Sequence, residues 1–212
     1  MKNAIVLALF VASAVGGSLK LYADEPASVI PTAQAAETAV SSIQQASEYS
    51  SQSPDRHELL KTAYTIAKAD GHKNPEIVQA VLLQETDGGA HPKMRVSNPG
   101  PNAYFGPMQL KLAAAKEVLA RFPELFAKYY FQTRTDEEIK ANLILNDVFN
   151  IEVGSKYLLI LQKQYGFSGV MLLNAYNRGP GGAKAVDASY HYGVSAQRKL
   201  RQYKVSVSRD QL

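Results

Sequence analysis

The chain has 212 residues, 46% of them hydrophobic and 20% charged, enough for one ordinary domain with a sizeable core and additional segments. Its 23 Lys and Arg against 19 Asp and Glu give a net charge of +4, too mild and too dispersed to make nucleic acid the partner. It has no cysteine, which excludes disulfides, thiolate metal sites, a cysteine nucleophile and attachment through a lipidated cysteine.

The start, MKNAIVLALFVASAVGGSLKLYADEP, joins Lys2 to an apolar run over residues 4–15, with small residues after it. This pattern predicts a signal peptide over residues 1–23, cleaved after Ala14, Gly16 or Ala23. An uncleaved anchor is the alternative, but the run is short for a membrane span and Lys20 interrupts its extension. On either reading the rest of the chain is exported. Residues 24–53, rich in Ala, Ser, Gln and Thr, read as a flexible linker with a weak helix around residues 33–45.

Residues 54–212 carry successive amphipathic helices with readable ends. Asp55 caps a helix bearing Leu59, Leu60, Ala63, Ile66 and Ala67, stopped at Gly71. Asn74 and Pro75 supply an N-cap and a first-turn proline for a second helix, which Gly88 and Gly89 end. Further helices are expected over residues 109–121 and 123–131. Thr135 with Glu138 forms a capping-box pattern ahead of another. A long apolar-faced helix spans residues 149–165, stopped at Gly166. Ser168 caps a shorter one that runs to Asn177 and ends near Gly179 and Pro180. No pair of alternating strands is visible, so the domain is expected to be all-α.

Glu85 stands out in this scheme. Ile77, Val78, Val81 and Leu82 recur at helical spacing, and Glu85 falls where the next core residue belongs. The helix ends within a turn, so an apolar surround and the negative end of the helix dipole both favour the protonated form. A glutamate that holds its proton near neutral pH is what a general acid for glycosidic cleavage requires. On helix position alone, a carboxylate facing solvent from a frayed end is the favoured reading. Asp87 projects to another side of the helix, and no other acid has a signal that would make it a second catalytic carboxylate.

Two later segments add to Glu85. SNPGPNAYFGPMQLK mixes turn formers with Tyr104, Phe105, Met108 and Gln109, a composition suited to a ligand wall or to a loop folded over its own aromatics. MLLNAYNRGPGG sets Tyr176 and Asn177 at a helix end before a glycine-rich turn. In this order the segments resemble the soluble, goose-lysozyme-like family of lytic transglycosylases, which cleave the glycan strands of bacterial peptidoglycan. Gln84-Glu85-Thr86 matches the family's helix ending in Glu-Ser. Ser97, Ala103 and Gly106-Pro107-Met108-Gln109 match its Ser-x-x-Gly-Ala-x-Gly-Leu-Met-Gln. Asn150-Ile151 with Gly154 and Tyr157-Leu158, then Ala175-Tyr176-Asn177 with Gly179, complete four ordered motifs, and Arg201-Gln202-Tyr203 is a fainter echo.

The resemblance implies a lysozyme-like α-helical domain with a substrate groove, no cofactor and no metal. It implies Glu85 as the single catalytic acid and base. Thr86, Ser97, Met108, Gln109, Tyr176 and Asn177 would bind the substrate or brace the site, while Asn150, Gly154 and Tyr157 would be structural. The expected partner is the peptidoglycan glycan strand, met by a monomer in the periplasm or cell envelope. General wall turnover and local opening for a secretion, conjugation or pilus machine both stand open, with the linker or the basic tail QRKLRQYKVSVSR docking the machine. The sequence departs from the family at Thr86, at Pro107 in place of leucine, and in a longer segment between Glu85 and Ser97 that holds His91, Lys93 and Arg95. A hydrolase on the same fold would need a second acid, for which Asp87 and Asp147 are poorly spaced. A wall-binding protein without turnover would not need an acid in an apolar setting. A metal-dependent amidase ranks last, because His57, His72, His91 and His191 lack helical zinc spacing.

Overall fold

Thirteen buried positions in one 19-residue helix, Asp147–Tyr165, organise the molecule. A helix buried on nearly all sides must be surrounded, and this one packs against five other helices. The computed structural model describes residues 55–91, 95–98, 100, 102–185 and 190–209. The expected signal peptide and linker lie outside them.

In chain order the described elements are α1 (Arg56–Ala69), α2 (Glu76–Thr86), β1 (Val96–Ser97), β2 (Tyr104–Phe105), β3 (Leu110–Lys111), α3 (Leu112–Arg121), α4 (Glu124–Lys128), α5 (Asp136–Leu145), α6 (Asp147–Tyr165), α7 (Gly169–Ala183) and α8 (His191–Arg209). The fold is mostly helical, as expected. The central α6 is wrapped by α1, α2, α3, α5 and α7, while α8 closes over α2 and α7. Leu60, Leu82, Leu119, Leu143, Phe149, Leu158 and Leu161 fill the space between them. Among the described residues no helix is long and apolar enough to cross a membrane.

Local chemistry accounts for most helix ends. Asp55 accepts a hydrogen bond from the His57 N–H at 2.8 Å and Asn146 one from the Phe149 N–H at 2.9 Å, so α1 and α6 start on side-chain caps. At α5 the Thr135 hydroxyl accepts from the Glu138 N–H. Glu138 does not close the expected box on the Thr135 N–H. Its carboxylate instead accepts from the N–H groups of Gln132, Thr133 and Arg134, which hold it down at about 2, Gln132 contributing most.

Four expectations need correction. Pro75 is already helical in backbone, but α2 is regular only from Glu76 and has no side-chain cap. The helix expected from Gln109 begins at Leu112, because Gln109 sits at φ 48 and the next two residues pair as a strand. Ser168 stands at the N-cap of α7 without a side-chain cap bond. That helix does break at Gly179 (φ 74, ψ 167), then continues for a further turn through Pro180 to Ala183.

The fifth difference bears on function. The loop read as irregular is a three-stranded antiparallel sheet, in which Val96 pairs with Phe105, Ser97 with Tyr104, and Tyr104 with Lys111. Each strand has two residues, too few for alternation to register. Pro107 occupies the second position of a turn closed by the Gln109 N–H on the Gly106 carbonyl at 2.9 Å. Proline suits that corner, where its fixed φ is an asset and the missing N–H is not needed.

The sheet is tied to α6 by Asn150, which is fully buried. Its amide donates to the carbonyls of Phe105 (2.9 Å) and Leu143 (3.1 Å) and accepts from the Met108 N–H (2.8 Å). Gly154, one turn later on α6, lies against Met108. A Cβ there would come within 2.8 Å of the Met108 Cε. Because that contact is with the flexible end of a side chain, Gly154→Ala is expected to cost only about 1–2 kcal/mol in thermal or urea unfolding. A larger loss would mean that Met108 has no room to move.

Polar groups buried on the other flank of α6 are also matched. Glu152 accepts from the Tyr129 hydroxyl and pairs with Lys128. Lys156 meets Asp70 at 2.9 Å, Asp70 accepts from the Ser155 hydroxyl at 2.6 Å, and His72 Nε2 lies 3.0 Å from the Ser155 carbonyl. Such satisfied networks fix the register of packed helices.

Candidate active site

At the C-terminal end of α2 the chain turns sharply. Asp87 adopts a left-handed backbone (φ 53), its N–H bonding the Leu83 carbonyl, and the Gly88 N–H bonds the Leu82 carbonyl. Glu85 therefore occupies the last turn. It is half-buried and lines a cleft of about 390 Å³ whose other walls come from the sheet, α3, α6 and the end of α7.

The group that touches Glu85 comes from the far end of the sequence. Tyr192, in the first turn of α8, donates from its hydroxyl to Glu85 Oε1 at 2.6 Å. Two turns further along the same face, Lys199 Nζ donates to the carbonyls of Leu83 and Gln84 at 3.2 and 3.3 Å. A cation on the last carbonyls of a helix stabilises that end.

These contacts set the carboxyl's acidity. Burial pushes the pKa of Glu85 up, while the Tyr192 hydrogen bond and the Lys199 charge pull it down. Burial wins, leaving it raised to about 7. Since the phenol stabilises the charged form, Tyr192→Phe is expected to move the Glu85 pKa further up. Carboxyl ¹³C titration by NMR measures this directly, and a downward move would contradict the assigned hydrogen bond. No motif in the sequence points to Tyr192. Tyr192, Ala196, Leu200 and Tyr203 recur at helical spacing and mark the packed face of α8, a signal that could have found it.

Four of the other expected site residues line the cleft: Ser97, Gln109, Tyr176 and Asn177. The Ser97 hydroxyl donates to Gln109 Oε1, and Gln109 Nε2 donates to the Gly106 carbonyl at 2.8 Å. The strand pairing that the sequence hid is what joins them. Asn177 is exposed at the mouth. Tyr176 is buried, with its ring set edge-on to Tyr157 at 5.7 Å and its hydroxyl donating to the Met108 carbonyl at 2.8 Å. Its proton is thus committed to the protein.

Thr86 and Met108 do not line the cleft. Thr86 is 2% exposed, and its hydroxyl donates to the Pro107 carbonyl at 2.8 Å and accepts from the Gly89 N–H at 3.1 Å. It staples the end of α2 to the turn before β3. Met108 is fully buried and packs on α6, offering the cleft nothing but support.

The acids sort clearly. Asp87 is exposed and bonded to Arg56 at 3.1 Å, and Asp147 is buried against Arg95. Arg95 also donates to the Ile144 carbonyl at 2.9 Å, so it belongs to the scaffold and leaves the cleft free. His91 is exposed, and Lys93 lies outside the described residues. The other carboxylate lining the cleft is Glu117, paired with Arg121 at 3.1 Å. Among the described residues no three His, Asp or Glu side chains gather to hold a metal ion. Compared with protein-family models, curated proteins and solved structures, the chain has no match.

Proposed function

We propose that the chain is an exported peptidoglycan lytic transglycosylase with a lysozyme-like helical domain and Glu85 as its single acid and base. The observation that carries this reading is a half-buried carboxyl that lines a polar and aromatic cleft and accepts from the Tyr192 hydroxyl, where burial raises its pKa to about 7. Such a group is half protonated at neutral pH, able to give a proton and take one back within a cycle.

Protonated Glu85 donates to the glycosidic oxygen between N-acetylmuramic acid and N-acetylglucosamine, and the C1–O bond breaks. The muramic acetamido group stabilises the positive C1, a substrate-assisted route without a second carboxylate. The Glu85 carboxylate then removes the proton of the same sugar's C6 hydroxyl. O6 bonds to C1, leaving a 1,6-anhydro end and restoring the protonated acid. No water is consumed. Tyr192 steadies the carboxylate between the two steps, and Ser97, Gln109 and Asn177 are the polar groups placed to hold the sugars.

Glu117 favours a second reading, a hydrolase in which it activates water across the cleft. Its pairing with Arg121 and its place beside Tyr157 fit that role less well than a structural one. Digestion of purified peptidoglycan by the full chain, by Glu85→Gln and by Glu117→Gln, with released fragments weighed by mass spectrometry, separates the two. Anhydro-ended fragments that vanish with Glu85→Gln and survive Glu117→Gln support the transglycosylase. Reducing ends lost in both variants support the hydrolase. No fragments from folded protein would reject both.

A further inference from the structure

We propose that the cleft between the N-terminal turns of α2 and α7 and the facing edge of α8 is a second ligand site, shaped for a small amphiphilic anion: an aliphatic body carrying a carboxylate or phosphate head. This cleft measures about 540 Å³, larger than the one at Glu85, and the two share no lining residue. Along α2 their nearest lining residues, Ala80 and Glu85, are five residues or about 7.5 Å apart.

Its composition selects the ligand. Ile77, Ala80, Leu172, Leu173 and Leu200 form an apolar floor, the kind of surface that takes up a hydrocarbon body. Lys73, Arg201 and Lys204 stand on the rim, and Glu76 is the one acid lining the cleft. Glu76 is taken by Lys204 in an ion pair at 2.5 Å. Lys73 and Arg201 have no acidic partner among the described residues. Two positive charges therefore stand in excess over an apolar floor, a charge pattern complementary to an anionic head.

The backbone adds to the same sign. The first turns of both α2 and α7 line the cleft, and neither carries a side-chain cap. Pro75 has no group to offer, and the Ser168 hydroxyl makes no cap bond. Two positive helix ends meet in one concavity with two unpaired cations. His72, buried in the wall, has its pKa lowered by burial and stays neutral at pH 7. A flat bilayer surface would not reach a concave floor, so a discrete molecule is the fitting occupant.

This inference stands independently of the role of Glu85. The test uses the isotope-labelled full chain and four probes, each below its micelle-forming concentration: decanoate, decyl phosphate, decanol and decyltrimethylammonium. Decanoate or decyl phosphate should shift the amide signals of Ile77, Leu172, Leu200 and Arg201 saturably, the tighter of the two identifying the head group. Decanol and the cation should bind at least tenfold more weakly. Arg201→Glu, an exposed change that leaves the fold intact, should weaken anion binding at least tenfold, and Lys73→Glu should do the same. Absence of saturable shifts with both anions, equal binding of the cation, or shifts confined to the Glu85 cleft would overturn the proposal.

Discussion

Glu85→Gln is expected to lower glycan cleavage by about 10²–10⁴-fold, the range a positioned general acid contributes, while making the protein more stable at alkaline pH. Both effects follow from the raised pKa. Glutamine keeps the shape and can accept the Tyr192 hydroxyl at its carbonyl, but it has no acidic proton to give. The parent's activity should fall about tenfold per pH unit above about 7, as the acid form disappears. The stability effect has the following sign. Folded Glu85 keeps its proton up to about 7, whereas the unfolded chain releases it near the ordinary value of 4.5. Between these values the folded state binds more protons, so stability falls as pH rises through the window and is flat above it. The full difference is about 3 kcal/mol at 1.36 kcal/mol per unit. The variant lacks this loss, so its melting temperature should exceed the parent's at pH 8 and match it more closely at pH 4. A variant less stable than the parent at pH 8 would mean that the carboxylate is welcome in its site.

Gly106→Ala should cost more than about 4 kcal/mol and leave little folded protein. Gly106 lies at φ 68, where an added Cβ would sit 2.2 Å from the Leu143 carbonyl oxygen and 2.3 Å from the Asn150 amide nitrogen. Both neighbours are held by hydrogen bonds that fasten the sheet to α6, so neither can retreat without leaving a buried polar group unpaired. Gly71→Ala is the companion measurement. Its φ is 83, but no atom lies within 4 Å of the added carbon. Only the left-handed backbone is penalised there, by about 1–2 kcal/mol. Urea unfolding of the two variants isolates the cost of close approach. Equal losses would show that backbone strain alone governs Gly106.

How far the sequence revealed this molecule depended on the distance over which each feature is determined. The bodies of α1, α2 and α6 and the stops at Gly71 and Gly166 follow from periodicity and capping, which act within a few residues. The two-residue strands have no such local signal, and their pairing was invisible although their aromatics and amide drew notice. Motif order led to Glu85, Ser97, Gln109, Tyr176 and Asn177, all in one cleft. It placed Thr86 and Met108 there too, because a motif does not say which of its side chains turn inward. Tyr192 belongs to no motif and lies just before the basic stretch 197–209 that reads as a tail, so charge masks the four packed positions of α8.

The hydrogen bond between Tyr192 and Glu85 spans 107 residues of sequence, and Lys199 reaches its carbonyls over 116 and 115. A chain synthesised or threaded from its N-terminus presents the glutamate long before either partner. Until α8 docks, that carboxyl has neither its phenol donor nor the nearby ammonium, the two groups that hold its pKa down against burial. The final setting of this carboxyl is thus a late acquisition of the polypeptide, fixed only when its last described helix arrives.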